Sequence, residues 1–330
     1  MAITIKEINE LRKKTQAGLM DCKKALTEAN GDMEAAMEIL RKKGQLIAAK
    51  RSDREAAEGC VLAKVEGNYG ATIALKCETD FVAKNADFVA LATAIMDAIV
   101  ANKCKSMDEV KALTINGVNV LDAITERSGV TGEKMELDGF NCVEGESIVS
   151  YNHMNKNTLC TLVVLNKQGF EEAGKGVAMQ VAAMSPLALD EAAVPQEVKD
   201  KEFANAIDKA KQNQIGKAVE NALKKAGINP AHVDSEDHME SNQAKGWITA
   251  EDVAKAKEIK ATVAAEAEAN LKEPMIQNIA KGMVGKFIKE NCLLEQAYID
   301  DNKVSVAQYL KSVDKDLTVV DFKRFTLSAE

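Results

Sequence analysis

Apolar residues recur every three or four positions at the start of the chain and every second position further on, so helices should precede strands. In the opening 44 residues one stripe is Ile5, Ile8 and Leu11. A second helix runs from about Leu19 to Ala29, and a third carries Met33, Ala36, Met37 and Leu40 on one face. Thr4 and Asp32 are placed to cap the first and third. Gly18 breaks the chain after the first, and Asn30-Gly31 supplies the left-handed turn that ends the second. Gly44 is expected to end the third, and the charged, Ala-rich stretch from Gln45 to Glu58 reads as a helical or loose linker. At Gly59 the period changes to two. Cys60–Glu66 and Tyr69–Lys76 flank Gly67-Asn68, a hairpin signal. A helix from near Ala86 follows, with Phe88, Ala92, Ile95, Met96 and Ile99 on its buried face. Short helices near Met107–Leu113 and Val118–Ser128 and a strand around Lys134–Cys142 complete this segment.

The plan then repeats. Ser147–Tyr151 and Thr158–Lys167 make a second hairpin around Asn155-Lys156-Asn157, and a helix over about Ala173–Met184 stops before Pro186. The matching helix, helix and strand come much later, at Met275–Glu290, Ser305–Ser312 and Leu317–Leu327, so the second half is split by an insertion. The inserted stretch is rich in Ala, Lys and Glu. One helix spans about Gln196–Ala226. A polar connection from His232 to Lys245 follows, and Thr249 with Asp252 resembles a capping box for a second helix reaching about Leu271. The heptads are ragged, with Gly216 interrupting them, and do not demand a long coiled coil. The expected class is α+β: a three-helix bundle, then a core of two small antiparallel sheets with helices, interrupted by a helical hairpin. The expected divisions are 1–54, 55–142, 143–190, 191–273 and 274–330.

Composition narrows the function. The chain has 330 residues, 46% apolar and only 4% aromatic, so aliphatic side chains and Met must fill more than one core. The net charge of −8 disfavours nucleic acid or an anionic membrane as the main partner. Residues 1–54 run the other way, with 12 Lys/Arg against 8 Asp/Glu, and could meet an acidic protein. Seven cysteines without a CxxC pair, and no signal peptide, fit a reducing cytoplasm. No apolar run approaches the roughly 20 residues that span a bilayer. Gly174-Lys175-Gly176 lacks the spacing and the following Ser/Thr of a phosphate-binding loop, and neither GxSxG nor HExxH occurs. His153, His232 and His238 are the only imidazoles, and no catalytic or metal-binding constellation is expected.

One stretch stands apart: Thr79-Asp80-Phe81-Val82-Ala83-Lys84-Asn85, between the first hairpin and its helix. Either Phe81 folds back into the core while Asn85 caps the next helix, or the ring is presented outward as an interface anchor. Leu19 and Met20, beside the Gly18 break, leave the same two readings: bundle core, or exposed contact.

The run TDFVAKN, preceded by Gly67-Asn68-Tyr69-Gly70, resembles the signature of bacterial translation elongation factor Ts. So does the N-terminal segment Leu11-Arg12, Thr15, Ala17 to Leu26, with Glu28-Ala29-Asn30-Gly31-Asp32. The match is dense over about the first hundred residues and looser but collinear beyond. The resemblance implies a ubiquitin-associated (UBA-like) type of N-terminal bundle and a projecting helical hairpin, or coiled coil, at the insertion. It implies a guanine-nucleotide exchange factor that is not an enzyme and needs no cofactor. Its partner would be elongation factor Tu, met GDP-loaded and held nucleotide-free while GDP and Mg²⁺ leave. Thr79, Asp80, Phe81 and Val82 would form the wedge that disturbs the Mg²⁺ environment. Arg12, Leu19 and Met20 would hold the partner's G domain, and His153, in Ser150-Tyr151-Asn152-His153, would contact it from the second half. A protein-binding adaptor built on the bundle is the competing function, and a homodimer is left open. Better-known members carry a further helix after the last strand. This sequence ends at Phe325-Thr326-Leu327-Ser328-Ala329-Glu330, so that contact is expected to be missing or altered.

Overall fold

The computed structural model describes residues 3–15, 17–51 and 53–327; Ser328-Ala329-Glu330 of the C-terminal segment lie outside them. Helix α1 (Ile5–Thr15) starts where Thr4 and Glu7 cap each other, the Glu7 N–H donating to Thr4 Oγ1 at 3.3 Å and the Thr4 N–H to Glu7 Oε2 at 2.7 Å. Helix α2 (Leu19–Glu28) follows the Gly18 break. Asp32 Oδ1 accepts the Glu34 and Ala35 amides at 2.9 and 3.0 Å at the head of α3 (Met33–Lys50). Ile8, Leu11, Cys22, Ala25, Leu26 and Ala36 form the bundle's core.

Strands β1 (Glu58–Glu66) and β2 (Tyr69–Cys77) pair around the Gly67-Asn68 turn. Then come α4 (Asp80–Ala83), α5 (Ala86–Asn102), α6 (Met107–Ala112), a ribbon of β3 (Thr114–Ile115) and β4 (Val118–Asn119), α7 (Val120–Thr131) and β5 (Glu136–Glu144). The sheet order is β1-β2-β5, all antiparallel. Phe88, Ile95 and Ile99 of α5 pack with Ile73 and Leu75 of β2 on one face.

Helix α3 does not end at Gly44 but runs on for six residues. Gly44 serves close packing instead of a cap. It lies against Gly129 of α7 so tightly that a Cβ on Gly129 would overlap the Gly44 Cα. Two facing glycines bring the helix backbones together, and the tertiary contact overrides the local stop signal.

The second sheet begins with β6 (Ser147–Asn152) and β7 (Leu159–Leu165), backed by α8 (Glu171–Met184). The chain forms two compact units, one reaching Leu189 and resuming at Ala297, the other Asp190–Gln296. The second unit holds α9 (Gln196–Lys225), α10 (Glu236–Ala244), α11 (Ala250–Ala269) and α12 (Glu273–Asn291). Gly216 sits inside α9 without interrupting it, and Thr249 and Asp252 form the capping box at the head of α11. Helix α9 packs against both α11 and α12, and Leu223, Ile228, Val233, Met239, Ile248 and Ala256 form a core within the unit.

Back in the first unit come β8 (Ala297–Tyr298), β9 (Asp301–Ser305), α13 (Val306–Val313) and β10 (Val319–Thr326). β10 adds antiparallel to β7, giving the order β10-β7-β6. Buried Gln180 of α8 ties the returning chain down, donating to the Ala297 carbonyl at 3.1 Å and accepting the Ile299 N–H at 2.7 Å. The free faces of the two sheets meet over Val61, Ala63, Ala74 and Val143 on one side and Cys160, Leu162 and Val164 on the other. Each sheet thus has helices on one face and its fellow sheet on the other, an α+β architecture.

Because the first unit keeps its own cores, replacing residues 190–296 by a short Gly/Ser linker is expected to leave a soluble protein. It should give one cooperative urea transition and retain its sheet signal by circular dichroism. An unfolded product would contradict this.

Candidate functional site

After Cys77 the chain leaves the β2 ladder, and its backbone amides need new acceptors. Glu133, just past α7, provides them. Its Oε2 accepts the Glu78 N–H at 3.1 Å and the Thr79 N–H at 3.0 Å, and its Oε1 accepts the Thr79 hydroxyl at 2.6 Å. Glu78 reciprocates: its Oε1 accepts the Lys134 N–H at 2.6 Å. The same carboxylate takes Arg51 Nη1 at 3.0 and 3.2 Å and Arg54 Nη1 at 3.0 Å. Desolvation pushes the Glu78 carboxyl up, but the Lys134 amide and the Arg54 and Arg51 donors outweigh it and hold the group at about 2.

That shift has a sign. The folded state favours ionised Glu78. The stability this gives is present above its ordinary value of 4.5 and is lost as the pH falls through about 2. Glu78→Gln is expected to lower stability at pH 7 by about 1–2 kcal/mol and to flatten the loss of stability between pH 4.5 and 2. Urea unfolding across that range checks it; equal slopes for both proteins would contradict it.

Thr79 caps α4, its Oγ1 accepting the Val82 N–H at 3.4 Å. A helix of one turn can bury only one side. Val82 and Ala83 lean on the core of the first sheet, and Phe81 stands 83% exposed. The reading in which this ring folds into the core is therefore not the one realised. Asp80 and Lys84 pair across the turn at 2.7 Å, and the Lys84 hydrogen bond lowers the Asp80 carboxyl. Asn85 Oδ1 then accepts the Asp87 and Phe88 amides at 2.9 and 3.3 Å and starts α5. A large apolar ring thus sits in water on a short turn secured at both ends, the form of a preorganised docking anchor.

The other sequence candidates lie elsewhere on the first unit. Leu19 and Met20 are 48% and 60% exposed in the first turn of α2, ahead of its buried stripe Cys22, Ala25 and Leu26. The bundle core closes without them. Arg12 is exposed on α1. His153 is half-buried in the turn after β6, its Nδ1 3.1 Å from the Tyr151 hydroxyl, beside exposed Met154 at φ +51°. His238 pairs with Asp234 on the second unit, where Trp247 packs on His232 at 5.5 Å between ring centres.

Arg51, Arg54, Glu78 and Glu133 escaped sequence reasoning. Glu133 is 54 residues from Thr79, and no local pattern announces the pairing. Among the described residues no group of three His, Cys, Asp or Glu is arranged to hold a metal, and no helix is long and apolar enough to cross a membrane. The cysteines are free, and burial pushes Cys60 up to about 11 and Cys77 and Cys160 up to about 12, away from thiolate chemistry.

Comparison with known proteins places the chain in a family. The family described as Elongation factor TS matches residues 78–329, starting at the glutamate that precedes the Phe81 turn. Elongation factor Ts of Phocaeicola vulgatus is 66% identical over 330 residues, covering all of both chains. That of Parabacteroides distasonis is 64% identical over the same span, and that of Porphyromonas gingivalis 40% identical over 331 residues, again covering both chains completely. Identity of this degree over the full length, with the TDFVAKN turn in place, means that the chain belongs to the elongation factor Ts family of translation elongation factors.

Proposed function

We propose that the chain is a guanine-nucleotide exchange factor for elongation factor Tu, acting by binding and not by covalent chemistry, in the cytoplasm. In this reading it meets the GDP-bound GTPase, promotes loss of GDP and Mg²⁺, and yields when GTP rebinds. Thr79, Asp80, Phe81 and Val82 form the wedge, with Phe81 and Asp80 presented and Thr79 and Val82 seating the turn; Arg12, Leu19 and Met20 hold the partner through the bundle, and His153 contacts it from the second half. The observation that carries the reading is Phe81, 83% exposed on a turn entered through the Glu78 and Thr79 amides and the Thr79 hydroxyl, all three bonded to Glu133. Leu19 and Met20, presented beside a basic bundle surface, support a second contact.

Exchange of this kind is a coupling free energy. A protein that binds the nucleotide-free GTPase more tightly than the GDP form must weaken GDP by the same ratio. A coupling of about 4 kcal/mol is roughly a thousandfold. Burying one phenylalanine ring contributes about 1.5–3 kcal/mol, a substantial share. Substoichiometric amounts of the chain are expected to accelerate release of a fluorescent GDP analogue from elongation factor Tu many-fold. Binding without acceleration would favour the adaptor.

A further inference from the structure

We infer that Glu78 and Glu133 are positioning residues that lock the Phe81 turn to the N-terminal bundle, so that both presented surfaces act on a partner as one body; this rests on the exchange reading above. The bundle reaches the turn by two routes. Along the first, α3 ends at Lys50 and the chain leaves through Arg51 and Arg54, whose guanidiniums converge on Glu78. Lys134 Nζ also donates to the Arg54 carbonyl at 2.9 Å, so the linker is held by its backbone as well as its side chains. Along the second, α3 crosses α7 at the Gly44–Gly129 contact. The end of α7 is bound to the next residue of interest, Ser128 Oγ donating to the Glu133 carbonyl at 2.6 Å. The Glu133 carboxylate then holds the amides of residues 78 and 79 and the Thr79 hydroxyl. Both routes meet immediately before Phe81.

The neighbouring elements do not depend on this clamp. β2 is secured by its ladders to β1 and β5, and α5 by its Asn85 cap. What the two carboxylates fix is the four-residue turn and the linker. Their bonds are charge-assisted, the strong class of hydrogen bond, and those from the Thr79 hydroxyl and the Lys134 amide are short at 2.6 Å. Two contact surfaces on a loose tether would engage a partner separately, the second at an effective concentration set by the tether. On one rigid body the ordering is done in advance. Docking of the bundle then sets where the ring goes, and binding energy gained at Leu19 and Met20 is available at Phe81.

The test measures GDP release from elongation factor Tu over a range of concentrations of the full chain, giving kcat and KM. The variants are Glu78→Gln, the pair Arg51→Gln with Arg54→Gln, these three substitutions together, Met20→Asp alone and with each latch variant, and Phe81→Ala as the reference. Glu78→Gln and the arginine pair are each expected to lower kcat about tenfold, and together no further than either alone. Met20→Asp should lower kcat in the native background but change only KM once Glu78 is replaced, a split that a merely structural role would not produce. Should Glu78→Gln fail to fold by circular dichroism, the arginine pair, on the surface linker, removes the same latch from the other side. Native kcat in the latch variants, with Phe81→Ala slow, overturns the inference and leaves the exchange reading standing. Native kcat in Phe81→Ala overturns the wedge role of that ring and the inference with it, whereas no acceleration by the native chain overturns the exchange reading itself.

Discussion

Phe88→Ala is expected to destabilise the protein by about 3–5 kcal/mol, because it deletes a ring from a filled core. Phe88 is fully buried, packed on the first sheet with Ile73, Leu75, Ile95 and Ile99. Its backbone N–H is bonded to Asn85 Oδ1 and survives the change, so the loss belongs to the side chain. Against a total stability of about 5–15 kcal/mol this is a large fraction, and the urea midpoint should drop accordingly. A loss below about 1 kcal/mol would mean that the ring is not the keystone of this core.

Seven residues earlier the same substitution should behave in the opposite way. Phe81→Ala removes a ring that touches mainly water, and its expected stability change is within about 0.5 kcal/mol. Its effect should fall on the partner. If the ring is buried against elongation factor Tu only as nucleotide leaves, losing about 1.5–3 kcal/mol of that burial slows release about ten- to a hundredfold. The two phenylalanines thus separate folding from function within one short segment.

Why the sequence could tell some of this and not the rest is visible in particular residues. The Gly67-Asn68 hairpin, the Asn85 cap and the Thr249–Asp252 capping box are local: every partner lies within a few positions, and the pattern is the mechanism. That a strand of the second half returns near Leu317–Leu327 was legible from the repeated plan; its pairing with β7, between residues more than 150 positions apart, was not. Gly44 misled because a glycine serves equally as a helix stop and as a point of close helix contact, and only Gly129, 85 residues on, decides between them. Phe81 carried two readings because periodicity does not say which side of a single turn faces the core; Val82 and Ala83 settle that by packing inward. The clamp was invisible for a related reason. Glu78 and Glu133 are common residues on ordinary loops, and what distinguishes them is the convergence of Arg51, Arg54, Lys134 and Thr79 in space.

The central claim is that a presented, latched Phe81 drives nucleotide release, and one measurement addresses it most directly. The rate of GDP release from elongation factor Tu is followed at saturating concentrations of the native chain and of Phe81→Ala, each shown by urea unfolding to be equally stable. The account predicts a saturating rate about ten- to a hundredfold lower for Phe81→Ala at unchanged stability. Equal saturating rates for the two proteins would contradict it.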